Sequence, residues 1–252
     1  MDYSKAIDCA ILCQDIYQEF AGIKFQILSE TQPILLNKPD TDTQCAILQS
    51  TDGSKAWIVF RGSEKKLDWE TNFNFRQIQF EFQQQVIQDK IVDKKTQVYP
   101  YAGSSSSGAL MHCGFTTAYD SVREDIHKTL RESGIKTVIV TGHSLGGALA
   151  TLCAVDIQFN FPEIAVEVYT FGAPRVGNTG FRDSFDRRVP NSYRFVNGMD
   201  IVPALPRYWQ GYRHVSSEQR LGQRFNIQFI SRRIKDHAIA DYIENLKAAA
   251  GL

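Results

Sequence analysis

A chain of 252 residues with 43% hydrophobic content can fill a sizeable core in one large domain or two small ones. The 28 basic and 28 acidic residues cancel, and no Lys/Arg run could track a phosphate backbone, which argues against nucleic acid and against an anionic membrane held by charge alone. No apolar run approaches the roughly 18 residues of a spanning helix, and the start "MDYSKAIDCAILCQDIYQEF" lacks the basic and apolar blocks of a signal peptide. A protein without a transmembrane segment is expected, cytoplasmic by default and secreted only if a leader was removed.

In residues 2 to 20, Ala6, Cys9, Ala10, Cys13, Ile16, Tyr17 and Phe20 recur at helical spacing, with Gly22 as a stop. The runs "CAILQS" and "KAWIVF" flank the turn-forming "TDGS" and predict a hairpin whose second strand leads into "RGS". In "NFNFRQIQFEF", residues 72 to 82, the aromatic face changes phase, as in a strand with a bulge near Arg76. The polar stretch from 83 to 110, closing on "GSSSSG", is long for a connection and reads either as a flap or insertion or as a surface loop. From Phe115 to Leu130 a helical pattern runs up to Gly134, and "KTVIV" follows as a continuous apolar run. Helix then buried strand is the rhythm of an α/β fold. It repeats: "LGGALATLCAVDIQF" reads as helix, "AVEVYTF" as strand, "FRDSFDRR" as helix, "SYRFV" as strand and "DHAIADYIENLKAAA" as a closing helix. With no repeat and no linker, residues 1–252 are taken as a single domain. The five cysteines, Cys9, Cys13, Cys45, Cys113 and Cys153, are odd in number and scattered, so reduced thiols are expected, and Cys9 with Cys13 on one helical face lacks the second pair a metal site needs.

The chemistry concentrates in "GHSLGG". A serine hydroxyl is a weak nucleophile near neutral pH and needs both a base at hydrogen-bond distance and an exposed oxygen. Gly142 and Gly146 flank Ser144 two residues each way, after an apolar strand and before an Ala/Leu-rich helix. That is the setting of a sharp strand-to-helix turn, whose helix directs N–H groups and a positive dipole end at an oxyanion above the serine.

Such a serine needs a histidine and a carboxylate. His143 adjoins Ser144 and must point elsewhere, His127 in "REDIHK" is expected to be solvated, and His112 precedes the nucleophile in sequence. The order serine, acid, histidine leaves His214 in "GYRHVSSE" and His237 at the start of the closing helix, with His237 preferred. Asp200 in "NGMDIVPALP", just past a strand, is the expected acid. Asp156 is read as buried in a helix close to Ser144, and Asp183 and Asp186 as lying on a charged helix face, so all three are taken as structural or solvated.

From about residue 45 to 245 the sequence resembles the class 3 lipases, the family of fungal triacylglycerol lipases and feruloyl esterases, through "IVFRGSEKKLDW", "HCGFTTAY", "VTGHSLGGALATL", "TFGAPRVGN" and "FVNGMDIVPALP" in that order. The resemblance implies an α/β-hydrolase fold: a mostly parallel central sheet with helices on both faces and a lid. It implies a carboxylic-ester hydrolase, a lipase on acylglycerols or alternatively a feruloyl or other non-lipid esterase, with a catalytically silent binding protein as the remote reading. Carried over, Ser144 is nucleophile, Asp200 acid and His237 base, while Ser63 and the N–H of Leu145 form the oxyanion hole. Ser63 by itself could equally be a strand-end turn residue. A lid is expected at about 64–75, where Trp69 is either the tryptophan that such a lid carries or packs in the core against the neighbouring strand, and Val202 is a candidate substrate contact. No metal or cofactor is implied. The expected partners are an ester substrate and a possible lipid–water interface.

Overall fold

The computed structural model describes residues 2–63, 109, 111–222 and 236–252. The expected bulged strand at 72–82, the lid at 64–75 with Trp69, and nearly all of the 83–110 insertion lie outside the described residues.

Helix α1 (Tyr3–Asp15) starts at Asp2, whose side chain accepts from the Lys5 N–H. It ends earlier than its apolar spacing suggests: Ile16 caps it, and the Asp15 carboxylate is drawn off to the Gln26 N–H at 2.7 Å. Tyr17 therefore leaves the helical face on which its spacing put it. The "TDGS" turn joins β2 (Thr43–Gln49) and β3 (Lys55–Phe60) as an antiparallel pair, and β1 (Ile34–Lys38) adds antiparallel to β2.

From β3 onward the pairings are parallel. Helix α2 (Cys113–Glu132) returns the chain to β4 (Thr137–His143), α3 (Leu145–Asn160) to β5 (Ala165–Phe171), and α4 (Thr179–Arg188) to β6 (Ser192–Asn197). β7 (Glu218–Leu221) closes the described sheet beside β6, and α5 (Ile239–Ala250) ends the chain. Spatial order follows sequence order, β1 to β7. Sequential parallel strands with crossovers of one hand place every crossover helix on one face. Alternation along the strands agrees: Val138, Val140, Val166 and Val168 pack with α2, α3 and α4, whereas Ile139, Tyr169, Phe171 and Phe195 pack with α1 and α5. The mostly parallel sheet with helices on both faces is thus the observed architecture.

α3 is apolar around nearly its whole circumference and is buried continuously from Gly146 to Ile157. A helix hydrophobic on all sides has to be enclosed, here by the sheet below and by α2 and α4 beside it. Truncating Leu149 or Leu152 to Ala would cost about 2–5 kcal/mol. The rigidity of this helix fixes whatever stands at its N-terminus, which is Ser144.

An ion pair is buried within this layer. The Asp156 carboxylate on α3 accepts from Tyr119 Oη at 2.6 Å and from Arg123 Nε at 2.8 Å, and pairs with His127 Nε2 at 2.7 Å, all from α2. Asp156 is structural, as expected, but His127 is not solvated: it is fully buried as a partner of that carboxylate. A buried carboxylate needs several donors to offset its desolvation, and α2 supplies them at every fourth residue.

Candidate active site

Strand register brings the site together at the carboxyl edge of the sheet, where such folds gather their chemistry. Phe60 lies opposite Gly142, His143 opposite Phe171, and Phe171 opposite Phe195. The ladder continues one residue past the strands, with Ser144 N–H donating to Phe171 O at 2.9 Å and Gly172 N–H to Phe195 O at 3.1 Å.

Ser144 is the N-cap of α3 and holds φ 56° and ψ −127°. A non-glycine residue there is strained, and crowding around it explains the flanking glycines. A Cβ on Gly142 would stand 2.2 Å from Gly146 O, and one on Gly146 would stand 2.3 Å from Phe60 O. The turn is packed backbone to backbone against the end of β3. That brings residues 60–62, and with them the half-buried Ser63, against the nucleophile loop. Leu145, the first residue of α3, presents an N–H that the helix itself leaves without a partner.

His237, just before α5, bridges the other two side chains. Its Nε2 is 2.9 Å from Ser144 Oγ and its Nδ1 is 2.9 Å from Asp200 Oδ2. Gly172 makes room for this bridge, since a Cβ there would meet Asp200 Oδ2 at 2.7 Å. Asp200, its side chain fully buried, is held from two further sides: Tyr242 Oη donates to Oδ2 at 2.6 Å and the Val202 N–H donates to Oδ1 at 2.9 Å. With Tyr242 Oη and the Val202 N–H already donating to it, Asp200 meets His237 as an acceptor, which puts the ring's proton on Nδ1. Nε2 then faces Ser144 as an acceptor. The arrangement can withdraw a proton from the serine hydroxyl and return it to a leaving group.

The other histidines fall elsewhere. His214 turns its Nε2 to Pro203 O at 2.5 Å, and burial together with the Arg194 charge holds it down at about 3. His112 caps α2, accepting from the Phe115 N–H, and burial lowers it to about 4. Val202 is buried, and its N–H donates to Asp200 Oδ1. Cys9, Cys13, Cys45 and Cys153 are buried free thiols, with Cys13 Sγ sharing a hydrogen bond with Thr141. Residue-by-residue reading missed Tyr242, whose position five residues after His237, on the first turns of α5, was available as a signal.

The pattern of the family described as Lipase (class 3) matches residues 57–209. The chain belongs to the class 3 lipase family. Among curated relatives of this chain, secreted mono- and diacylglycerol lipase 1 of Fusarium solani is 35% identical over 187 residues, 71% of this chain and 48% of that protein. Secreted mono- and diacylglycerol lipase A of Penicillium cyclopium is 38% identical over 183 residues, 71% of this chain and 52% of that protein. The chain thus spans about half the length of these curated relatives. Of solved structures, a Rhizomucor miehei lipase–propeptide complex superposes with a TM-score of 0.64 at 25% identity, covering 88% of this chain and 65% of that one. The α/β-hydrolase fold of this lipase-family member follows from that likeness together with the sheet topology.

Proposed function

We propose that this chain is a serine-dependent carboxylic-ester hydrolase whose substrates are acylglycerols, partial glycerides in particular. The observation that carries the reading is the His237 ring, within 2.9 Å of both Ser144 Oγ and Asp200 Oδ2 at the head of a buried helix. The relatives named above as mono- and diacylglycerol lipases support the substrate class.

In the proposed reaction, Ser144 Oγ attacks the ester carbonyl as its proton passes to His237 Nε2. The imidazolium is stabilised through Nδ1 by Asp200. The tetrahedral oxyanion lies over the N-terminus of α3, taking the Leu145 N–H and the Ser63 N–H and hydroxyl. His237 then protonates the leaving alcohol, and a water activated by the same nitrogen cleaves the acyl-serine. No metal or organic cofactor enters these steps.

The loop following Asp200 supports contact with a lipid surface. Tyr208 and Trp209 are 60% and 79% exposed, with Arg213 over the Tyr208 ring and Arg207 over Trp209. Segment 201–217 contains no Asp or Glu. Aromatic rings flanked by arginines suit the headgroup level of a lipid interface.

The test is hydrolysis of a monoacylglycerol emulsion, a triacylglycerol emulsion and soluble methyl ferulate, side by side with Ser144→Ala. Glyceride turnover that disappears in the variant is expected. Ferulate turnover without glyceride turnover would reassign the substrate class, and turnover surviving Ser144→Ala would sink the mechanism.

A further inference from the structure

The mechanism above leaves unused a buried histidine and a tyrosine beside it. His143 is the last residue of β4, next to Ser144, and its ring lies on the face of the sheet that carries α1 and α5. Its Nε2 lies 2.7 Å from the carbonyl oxygen of His237, and its Nδ1 lies 3.0 Å from Tyr17 Oη. We propose that Tyr17 and His143 are positioning residues that fix the general base, acting as one hydrogen-bonded unit. The proposal rests on the ester-hydrolase reading given above.

The direction of each bond follows from chemistry. A carbonyl oxygen only accepts, so His143 Nε2 carries the proton. Complete burial, and next the neighbouring His237 charge, hold His143 well below the ordinary histidine range, so the ring is neutral and has one N–H. Nδ1 is therefore an acceptor, and the Tyr17 hydroxyl supplies its proton. The Tyr17 oxygen in turn lies close against the backbone at Gly62. Only a glycine fits at position 62, because a Cβ would stand 2.1 Å from Tyr17 Oη and 2.8 Å from His143 O. One phenol thus joins three pieces of the site: the residue before Ser63, the residue before Ser144, and the backbone of His237.

This unit does something the triad cannot do for itself. Asp200 and Ser144 hold the ring of His237, and Asp236 is tied to Asn197 and Met199, while His143 takes the next carbonyl. The two imidazole rings are 4.6 Å apart between centroids. When His237 becomes an imidazolium, a neutral neighbour tolerates that charge where a second cation would oppose it. Tyr17, by occupying Nδ1 as a donor, holds His143 in the tautomer that does so. Proton transfer depends steeply on such alignment, and a displacement of about 1 Å can cost about 10²-fold in rate.

The experiment measures kcat and KM for p-nitrophenyl butyrate from pH 5 to 9 for wild type, Y17F, H143Q, H143L, Y17F/H143L and S144A. Active sites are counted with a fluorophosphonate, so that kcat refers to folded protein. Y17F is expected to lower kcat about 10-fold with KM within about twofold, and H143L to lower it by about 10- to 100-fold. The double variant should be no worse than H143L, because Tyr17 acts through His143. H143Q, which keeps one donor and one acceptor, should stay within about threefold of wild type. A Y17F kcat within twofold of wild type would overturn the proposal, and so would losses that multiply in the double variant. If H143L does not fold, Y17F and H143Q decide the matter. Wild-type turnover that is absent, or unaffected by S144A, would instead defeat the hydrolase reading on which the proposal rests.

Discussion

Asp200→Asn tests the proposed mechanism most directly, because in this pocket it changes a proton's place and little else. The Asp200 side chain is fully buried; Oδ1 takes the Val202 N–H, while Oδ2 takes His237 Nδ1 and Tyr242 Oη. An asparagine can keep its oxygen on Val202 and turn its NH₂ toward the other two. One of its hydrogens then meets His237 Nδ1 and the other Tyr242 Oη, whose hydroxyl hydrogen has to turn away from position 200. Heavy-atom positions survive, so unfolding in urea should shift little. The consequence for the base is severe: Nδ1 now accepts, so the proton of the neutral ring moves to Nε2, 2.9 Å from Ser144 Oγ. Two donors then face each other and the base has no lone pair for the serine. In a triad this reversal costs about 10⁴-fold in kcat, equivalent to about 5.5 kcal/mol of transition-state stabilisation. The assay is kcat/KM on p-nitrophenyl butyrate at pH 7.5, with the urea midpoint measured on the same preparation. A loss of less than tenfold in a folded variant would refute the tautomer argument and move the acid to another carboxylate.

Three further outcomes follow from the same geometry. Asp156→Ala takes from the buried Tyr119, Arg123 and His127 the carboxylate they share; it should cost about 3–5 kcal/mol in urea unfolding while kcat per fluorophosphonate-titrated site stays near wild type. Gly146→Ala forces a Cβ to 2.3 Å from Phe60 O, so turnover should fall by about 10²-fold through displacement of the nucleophile turn, and normal kinetics would show that the turn is not rigid. Burial holds His214 near 3 and His112 near 4, against about 6.5 in the unfolded chain. Both bind fewer protons folded than unfolded in that interval, so their stability contribution is complete above about pH 6.5 and is lost as pH falls toward about 4 and 3. Urea midpoints should therefore decline from pH 7 to 4.5, with a shallower decline in His214→Asn; an identical slope in that variant would refute the assignment.

The elements legible in the sequence are those held by burial. The apolar run of β4, the all-round apolar α3 and the "TDGS" hairpin each carry their own signal. The strands that went unread, β1 and β7, have no such signal: "ILLNK" has no buried residue and "EQRL" has one, and both lie at the edges of the described sheet. In the site, Ser144, Asp200 and His237, which the structure brings together, stood out because the chemistry proposed for them demands particular residue types in a particular order. His127 was misjudged for the converse reason. Its neighbours in sequence are charged, and only the four-residue spacing of Tyr119, Arg123 and His127 hints that one face of α2 collects donors for a buried anion. Tyr17 was misplaced because its apolar ring continues the stripe of α1, whereas Asp15 is pulled aside by Gln26, a contact with no local signature.

The site divides along the two faces of the sheet, and the division has a chemical logic. Residues 57–209, which carry the family pattern, contain Ser63, Ser144, Leu145 and Asp200. They sit at the ends of strands whose crossover helices all lie on one face. His237 and Tyr242 lie beyond that stretch and Tyr17 before it, and they come from the segments that form the opposite face, where α1 packs on α5. The small residues of α1, Ala6, Cys9, Ala10 and Cys13, are all buried and let that helix lie close to the sheet. That close approach lets the Tyr17 hydroxyl reach His143 from the end of α1, while α5 aims Tyr242 at the acid. Ser144 and Asp200 are thus fixed by the sheet together with α3, and His237 is delivered by the two helices on the opposite face. A substitution that lifts α1 from the sheet would then act on proton transfer before it acts on the serine, because the serine's position is set by α3 on the other side.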